Sequence, residues 1–409
     1  MRKINQINEE QKKTIQEILT LRYSKNWSNS YPSLSSNDFI EGISITDPEK
    51  FIEDSIQREI REKIGTGQTN VGIALSSGID STLVLALTRK EFPSINIETV
   101  SVKFSNSVDE TSSSKKISNI FKTNHHILEI ENFLEDLPSA ISIIKMPFWD
   151  THWYYLCKTM KNFSKIFLSG DGGDELFGGY TFRYKKFLEN TKDTSTTQEK
   201  ILTYLNCHER DWVPDQQSIF SRASRFDWKE IHAILVPYFN NSLPRLSQVF
   251  LADLNGKLLF NMIPVNDMFH KAFSISNITP IKNKDLIQLS FGLSQEQKYD
   301  FKTNTGKLPL VKLLEKLNVK HLTSSKKQGF SVDTVNSWKL FGKNIFDYYF
   351  DKSRLIEDGI INNDWILRHS KNSEPNVRYV NKFLGILALE IWYRLFIIKD
   401  LNENEKLTI

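Results

Sequence analysis

The chain has 409 residues, 39% of them hydrophobic and 12% aromatic, enough for one large or two ordinary domains around a sizeable core. Its 53 Lys and Arg against 49 Asp and Glu leave a net charge of +4, a near balance that speaks against a dedicated nucleic-acid or anionic-membrane binder. The two cysteines, Cys157 and Cys207, supply neither a disulfide framework nor a zinc site.

Met1-Arg2-Lys3-Ile4-Asn5 leads into polar sequence with no apolar run, so no signal peptide is expected. Residues 1–47 read as an N-terminal extension, with a short helix near Glu9 to Arg22 and a Ser/Asn-rich stretch after it. Asp47-Pro48-Glu49 has the form of a helix start, a capping side chain followed by Pro in the first turn. Phe51, Ile52, Ile56, Ile60 and Ile64 then fall on one helical face.

Val71 to Leu75 is a short apolar run suited to a buried parallel strand. A loop, Ser76-Ser77-Gly78-Ile79-Asp80-Ser81, and a helix from Thr82 to Phe92 follow. Further strands are expected at Ile97–Phe104, His125–Ile130 and Ile166–Leu168, with helices between them, one of them over Val108–Phe121. This alternation predicts an α/β fold: an open parallel sheet with helices on both faces over residues 65–185. After Tyr180 the strand signal fades, and residues 186–409 read as mainly helical. The most apolar stretch, Phe383 to Ile398, is interrupted by Glu390 and Arg394 and is short for a membrane span. A buried C-terminal helix and a cytoplasmic protein are the expectation.

The loops at Ser76–Ser81 and Ser169–Tyr180 both follow expected strands, the end of an open parallel sheet where ligands bind. In the first loop, small residues let backbone N–H groups turn in on a phosphate, the helix N-terminus adds its dipole, and Asp80 offers an oxygen to Mg²⁺. It lacks the Gly-Lys-Ser/Thr ending of a Walker loop. It resembles the Ser-Gly-Gly-x-Asp-Ser loop of ATP pyrophosphatases that split ATP between the α and β phosphates, with Ser77 where Gly is usual. The second loop, Ser169-Gly170-Asp171-Gly172-Gly173-Asp174-Glu175-Leu176-Phe177-Gly178-Gly179-Tyr180, crowds three carboxylates among five glycines. Such crowding calls for a cation or a proton-transfer role, and the spacing does not fit an EF-hand.

This second run resembles the signature of the asparagine synthetase synthase domain, whose relatives include β-lactam and carbapenam synthetases. Asp109-Glu110 before His125-His126, Asp253-Leu254 and Asp267, Lys327-Gln328-Gly329-Phe330 and Leu389-Glu390-Ile391-Trp392 extend the resemblance over residues 48–398. It implies an ATP-dependent, AMP-forming ligase that adenylates a substrate carboxylate and then forms an amide with ammonia or an amine. It further implies that Ala74 and Val102 read adenine through their backbones, and that Ser76, Ser77, Gly78, Asp80 and Ser81 hold the phosphates. Ser169, Gly170 and Tyr180 would line the nucleotide, Asp80 and Asp174 would bind Mg²⁺, and Lys327 would neutralise pyrophosphate. Asp171 takes the family's acid/base position; His125 and His126 are expected to be structural.

The resemblance also has gaps. Position 2 is Arg rather than the Cys nucleophile of a glutaminase domain, and roughly 70 residues precede the first strand. A glutaminase is therefore expected to be absent, with nitrogen supplied as ammonia, an amine, or by a separate glutaminase. In the segment 261–283, Asn261 stands where Asp is usual, and Ser276 and Ile278 stand for a usual Glu and Arg, while Asp267, Ala272, Ser274 and Pro280 are kept. This argues against aspartate as the acceptor. Two other readings stay open: a tRNA-modifying ATP pyrophosphatase and a catalytically degenerate nucleotide-binding subunit.

Overall fold

The computed structural model describes residues 7–26, 33–40, 43–104, 109, 111–323, 332–372, 374 and 376–408. Five parallel strands form one sheet in the order β3-β2-β1-β4-β5: β1 Asn70–Ala74, β2 Asn96–Phe104, β3 Asn124–Ile130, β4 Ile166–Leu168 and β5 Ser276–Ile278. From β1 the chain moves outward to β2 and β3, then returns to the other side of β1 for β4. The switch leaves a crevice between the C-terminal ends of β1 and β4, which pair through Gly72 with Phe167 and Ile73 with Leu168.

Alternation along the strands explains the layers. Val71 and Ile73 of β1 and Ile166 and Leu168 of β4 bury one face of the sheet, with α1 (Pro48–Ile64) and α2 (Ile79–Glu91) contributing Ile52, Ile56, Leu83 and Leu87 to the same cluster. Ala74, Val100 and Phe167 bury the other face with α3 (Leu137–Ile144), α4 (His152–Met160) and α5 (Ile263–Ala272). Gly72 lies on that second face, where a β-carbon would run into the Met160 thioether. Residues before α1 also enter the core: Ile15 and Leu19, on the capped helix Glu9–Leu21, are buried in the first cluster.

The expected strands all lie in the sheet, and the residues described after Tyr180 are mainly helical, with one short addition, β5, that the sequence pattern does not mark. Three residues long, two of them polar, it pairs in parallel with β4, Ile166 with Ser276 and Leu168 with Ile278. Ser276 and Ile278 are thus an edge strand. Leading into it, the helix Arg245–Asp253 continues through a π-type stretch, Leu254–Met262, into α5. Gly256 breaks that rod with φ −101° and ψ −111°, and its bare Cα lies against the Tyr23 ring.

The C-terminal helix Val377–Tyr393 is buried, and it reaches Ile398 through a π-type last turn. Glu390, fully buried in it, accepts hydrogen bonds from Arg354 N (2.9 Å), Leu355 N (3.1 Å), Ser353 Oγ (2.8 Å) and Arg394 Nε (2.7 Å). Trp392 Nε1 donates to Lys145 O at 2.8 Å. The Leu-Glu-x-Trp motif is therefore a fastener for a buried helix start. No helix among the described residues is long and apolar enough to cross a membrane. Glu390→Ala strands two backbone N–H groups and leaves the Arg394 guanidinium to Lys352 O and Asp400, so it should cost about 3 kcal/mol in urea unfolding.

Candidate active site

The first loop is braced by its own hydroxyls. Ser81 Oγ donates to Ser76 O (3.0 Å), lies 3.0 Å from Ser76 Oγ and accepts from Ser76 N at 3.2 Å, while Gly78 N donates to Ser76 Oγ at 3.1 Å. Ser77 is buried and is not among the residues with positive φ, so a side chain there imposes no left-handed strain where Gly is usual. Asp80 stands in the first turn of α2.

The second loop starts where β4 ends. Gly172 has φ +92°, which turns the chain into the short helix Gly173–Phe177. The two loops touch through glycine. A β-carbon on Gly170 would lie 2.7 Å from Asp80 Cβ and 2.8 Å from Ser81 N, and one on Gly173 would overlap the Asp80 carboxyl. Any larger residue would push the loops apart.

The contact draws Asp80 and Asp174 onto one cation, Lys307. Its Nζ pairs with Asp80 Oδ2 and lies 2.7 Å from Asp174 Oδ1. Burial would lower the Lys307 pKa, but Asp174 and Asp80 outweigh it and hold the ammonium well above its ordinary value. Lys307 has φ +56°, an unfavourable conformation for a residue with a β-carbon. It persists because Gly306 packs against Gly178 O and Lys307 N donates to Phe177 O at 2.9 Å, which presses the start of the helix Leu308–Lys316 onto the second loop. The sequence reading did not pick out Lys307. The available signal was Gly306-Lys307-Leu308-Pro309, a glycine and a cation at a Pro-marked helix start.

Asp171 lies on the other side of the second loop. Asn266 Nδ2 of α5 donates to its Oδ2 at 2.7 Å. Some of its surface is exposed, yet the carboxyl is deeply surrounded, and that desolvation pushes its pKa up to about 6 against the opposing pull of Lys282, Ser169 and Asn266. Lys282 follows β5, and its Cβ would lie 3.5 Å from a β-carbon on Gly172. Burial lowers the Lys282 pKa, while Asp267, Asp171 and Glu175 act to raise it. Asp267 accepts from Asn277 Nδ2 of β5 at 2.9 Å.

Ala74 ends β1, Leu75 N bonds Val100 O at 2.9 Å, and Val102 extends β2 beyond the last residue paired with β1. Ser169 is buried at the end of β4. Tyr180 is turned inward: its hydroxyl donates to Glu175, and the Arg183 guanidinium lies 3.8 Å over its ring. Arg183 is held by Asp253 at 3.3 Å, and Asp253 also accepts from Tyr204 OH at 2.9 Å. Asn261 Nδ2 donates to Arg22 O at 2.6 Å, a contact a carboxylate could not make. Lys327 and the rest of the Lys-Gln-Gly-Phe motif lie outside the described residues, as does Glu110. His125 and His126 start β3, at the opposite end of the sheet from both loops. His125 Nδ1 is 2.9 Å from Thr99 Oγ1, and His126 Nε2 is 2.7 Å from Glu98.

Residues 52–394 match the sequence model of the asparagine synthase family. The chain belongs to that family. The chain is 24% identical to asparagine synthetase [glutamine-hydrolyzing] 1 of Bacillus subtilis over 410 aligned positions, covering 86% of this chain and 61% of that protein. A putative asparagine synthetase [glutamine-hydrolyzing] 2 of Methanocaldococcus jannaschii is 32% identical over 141 positions, 33% of this chain and 26% of that one. The chain thus spans less than two thirds of the length of these asparagine synthase relatives. Two solved structures align distantly. A U34-tRNA thiolase from Methanococcus maripaludis is 10% identical with a TM-score of 0.30, covering 74% of each chain. NMN synthetase from Francisella tularensis is 12% identical with a TM-score of 0.27, covering 51% of this chain and 92% of that one. Such scores carry no argument about function.

The loop contact yields a prediction. Gly173→Ala should push the Asp80 carboxyl aside and lower the midpoint of thermal unfolding by a few degrees, the cost of overpacking at the loop contact.

Proposed function

We propose that this chain is an ATP-dependent ligase that adenylates a carboxylate and passes the acyl group to ammonia or an amine. The observation that carries the reading is the meeting of Asp80 and Asp174, from loops on adjacent strands, at the single ammonium of Lys307. Ala74 and Val102 would present their backbones to adenine. The hydroxyls and N–H groups of Ser76 to Ser81 would face the phosphates, with Ser169 and Gly170 near the ribose and α-phosphate.

Two hard carboxylate oxygens fit Mg²⁺, which takes its remaining ligands from phosphate and water. Among the described residues no three His, Cys, Asp or Glu side chains converge as a metal cage, so the nucleotide would have to complete the site. Bound there, Mg²⁺ would supply charge stabilisation for the departing pyrophosphate. Lys307 would add a fixed positive charge to the same oxygens, and its enforced position means no reorganisation during reaction.

The substrate carboxylate attacks the α-phosphorus and pyrophosphate leaves, giving an acyl-adenylate. A neutral amine then attacks the acyl carbon, a proton passes from nitrogen to Asp171, and the C–O bond breaks with its electron pair on AMP. A carboxylate whose pKa stands near 6 is ionised at neutral pH yet basic enough for that transfer. The segment that departs from the family pattern, 261–283, contains Asn266 and Lys282, which border Asp171, and this supports an acceptor other than aspartate. A tRNA-thiolating role gains nothing from the cysteines: Cys157 and Cys207 are both buried, with burial raising their thiol pKa values.

Labelled pyrophosphate should exchange into ATP when the protein is given Mg²⁺ and one member of a carboxylate panel; ATP binding without exchange across the panel would overturn the reading. Lys307→Met should lower that exchange by roughly 10²–10³. Asp171→Asn should retain exchange and lose amide formation, and the wild-type amide-forming rate should rise with pH through about 6. Stability gives an independent check. The folded state raises the Asp171 pKa above its ordinary 3.8, so its contribution is fully present below that value and is lost as pH rises through about 6. Asp171→Asn should therefore raise chemical stability at pH 7, with the gain fading towards pH 4.

A further inference from the structure

Asn266 sits in the middle of α5 with 1% of its surface exposed. Its Nδ2 donates to Asp171 Oδ2 at 2.7 Å, which fixes the orientation of the amide: the opposite assignment would set a carbonyl oxygen against a carboxylate. The other arm, Oδ1, is buried and has no hydrogen-bond partner among the described residues. Buried amide oxygens are nearly always satisfied, and leaving one bare beside a carboxylate is costly.

The position is braced from behind. His270, one turn further along α5, has its Nδ1 2.8 Å from the Asn266 carbonyl, so this nitrogen carries the proton. Burial lowers the His270 pKa to about 4, which keeps the ring neutral. Its ring packs against Trp153 and Phe167, fixing the helix to the sheet at this turn.

We propose that Asn266 Oδ1 and the Asp171 carboxylate together seat the nitrogen nucleophile, which is ammonia or an unhindered primary amine. The inference rests on the ligase reading above. The chemistry selects the ligand: two adjacent acceptors, one neutral and one basic, fit a group with two N–H bonds and a free lone pair. One N–H donates to Asn266 Oδ1 and stays there. The other points at Asp171, which takes that proton as nitrogen bonds to the acyl carbon and AMP leaves with the C–O electron pair. Lys282 alongside disfavours a second cation, so the amine enters neutral and nucleophilic.

The test separates the two half-reactions in the full chain. With the carboxylate that supports pyrophosphate exchange, AMP release is measured against ammonium chloride and against methylamine. Asn266→Leu should keep exchange within about twofold of wild type while raising the half-saturating amine concentration about tenfold, the worth of one hydrogen bond to nitrogen. Asn266→Ser, which keeps a small polar group, serves if the leucine variant does not fold, and should show the same split. Unchanged half-saturation with intact exchange overturns the proposal, as does wild-type AMP release that neither amine accelerates. Loss of exchange in either folded variant also overturns it, because Asn266 would then serve the first step. Absence of exchange in the wild type instead removes the ligase reading itself, and the nucleophile site with it.

Discussion

Two carboxylates and one ammonium, Asp80, Asp174 and Lys307, are the constraint on which the active end of the fold depends. Carboxylates from separate loops repel, and taking a lysine out of water costs several kcal/mol before any partner is found. Lys307 also takes a backbone conformation that disfavours a side chain. Nothing in this arrangement is an efficient way to stabilise a protein. The chain supplies the closeness through glycines at the loop contact and through Gly306 against Gly178 O, so backbone shape rather than ion pairing brings the charges together. A cluster held this way is ready to exchange one partner for another without moving its supports.

Around that centre the molecule divides into two sides. Towards β1 and β2 lie the braced serine loop and the strand ends proposed for adenine. Towards β5 lie Asp171, Asn266, Asp267 and Lys282, supplied by the second loop, α5 and the residues after the edge strand. β4 serves both, since the loop that follows it carries Asp171 on one side and Asp174 on the other. Of the departures from the family pattern, Ser276 and Ile278 lie on the second side, in the edge strand itself, and Ser77 lies on the first.

Much of this was legible in the residues themselves. Apolar runs followed by glycine and acid loops marked β1 and β4 and placed the crevice, because local patterning dictates both. β5 was not legible, since Ser276 and Asn277 give a three-residue strand no apolar alternation and its pairing partner lies over a hundred residues away. Lys307 escaped because a lone lysine reads as solvated surface, and only the packing of Gly306 reveals the burial. Asn266 reads as the polar face of an amphipathic helix, yet it is buried and donates to Asp171. The Leu-Glu-x-Trp motif was visible as a resemblance, but its role as a fastener needed the hydrogen bonds of Glu390.

The break at Gly256 bears on how such a molecule diversifies. Asp253, before it, is tied through Arg183 to the Tyr180–Glu175 pair; Asn266, after it, donates to Asp171, and Asp267 accepts from Asn277 of β5. A continuous rod would transmit any shift at one end to the other. The break at Gly256 divides the rod into two parts, so residues around Asn266 and Asp267 can vary while the Arg183–Asp253 anchorage stays where it is.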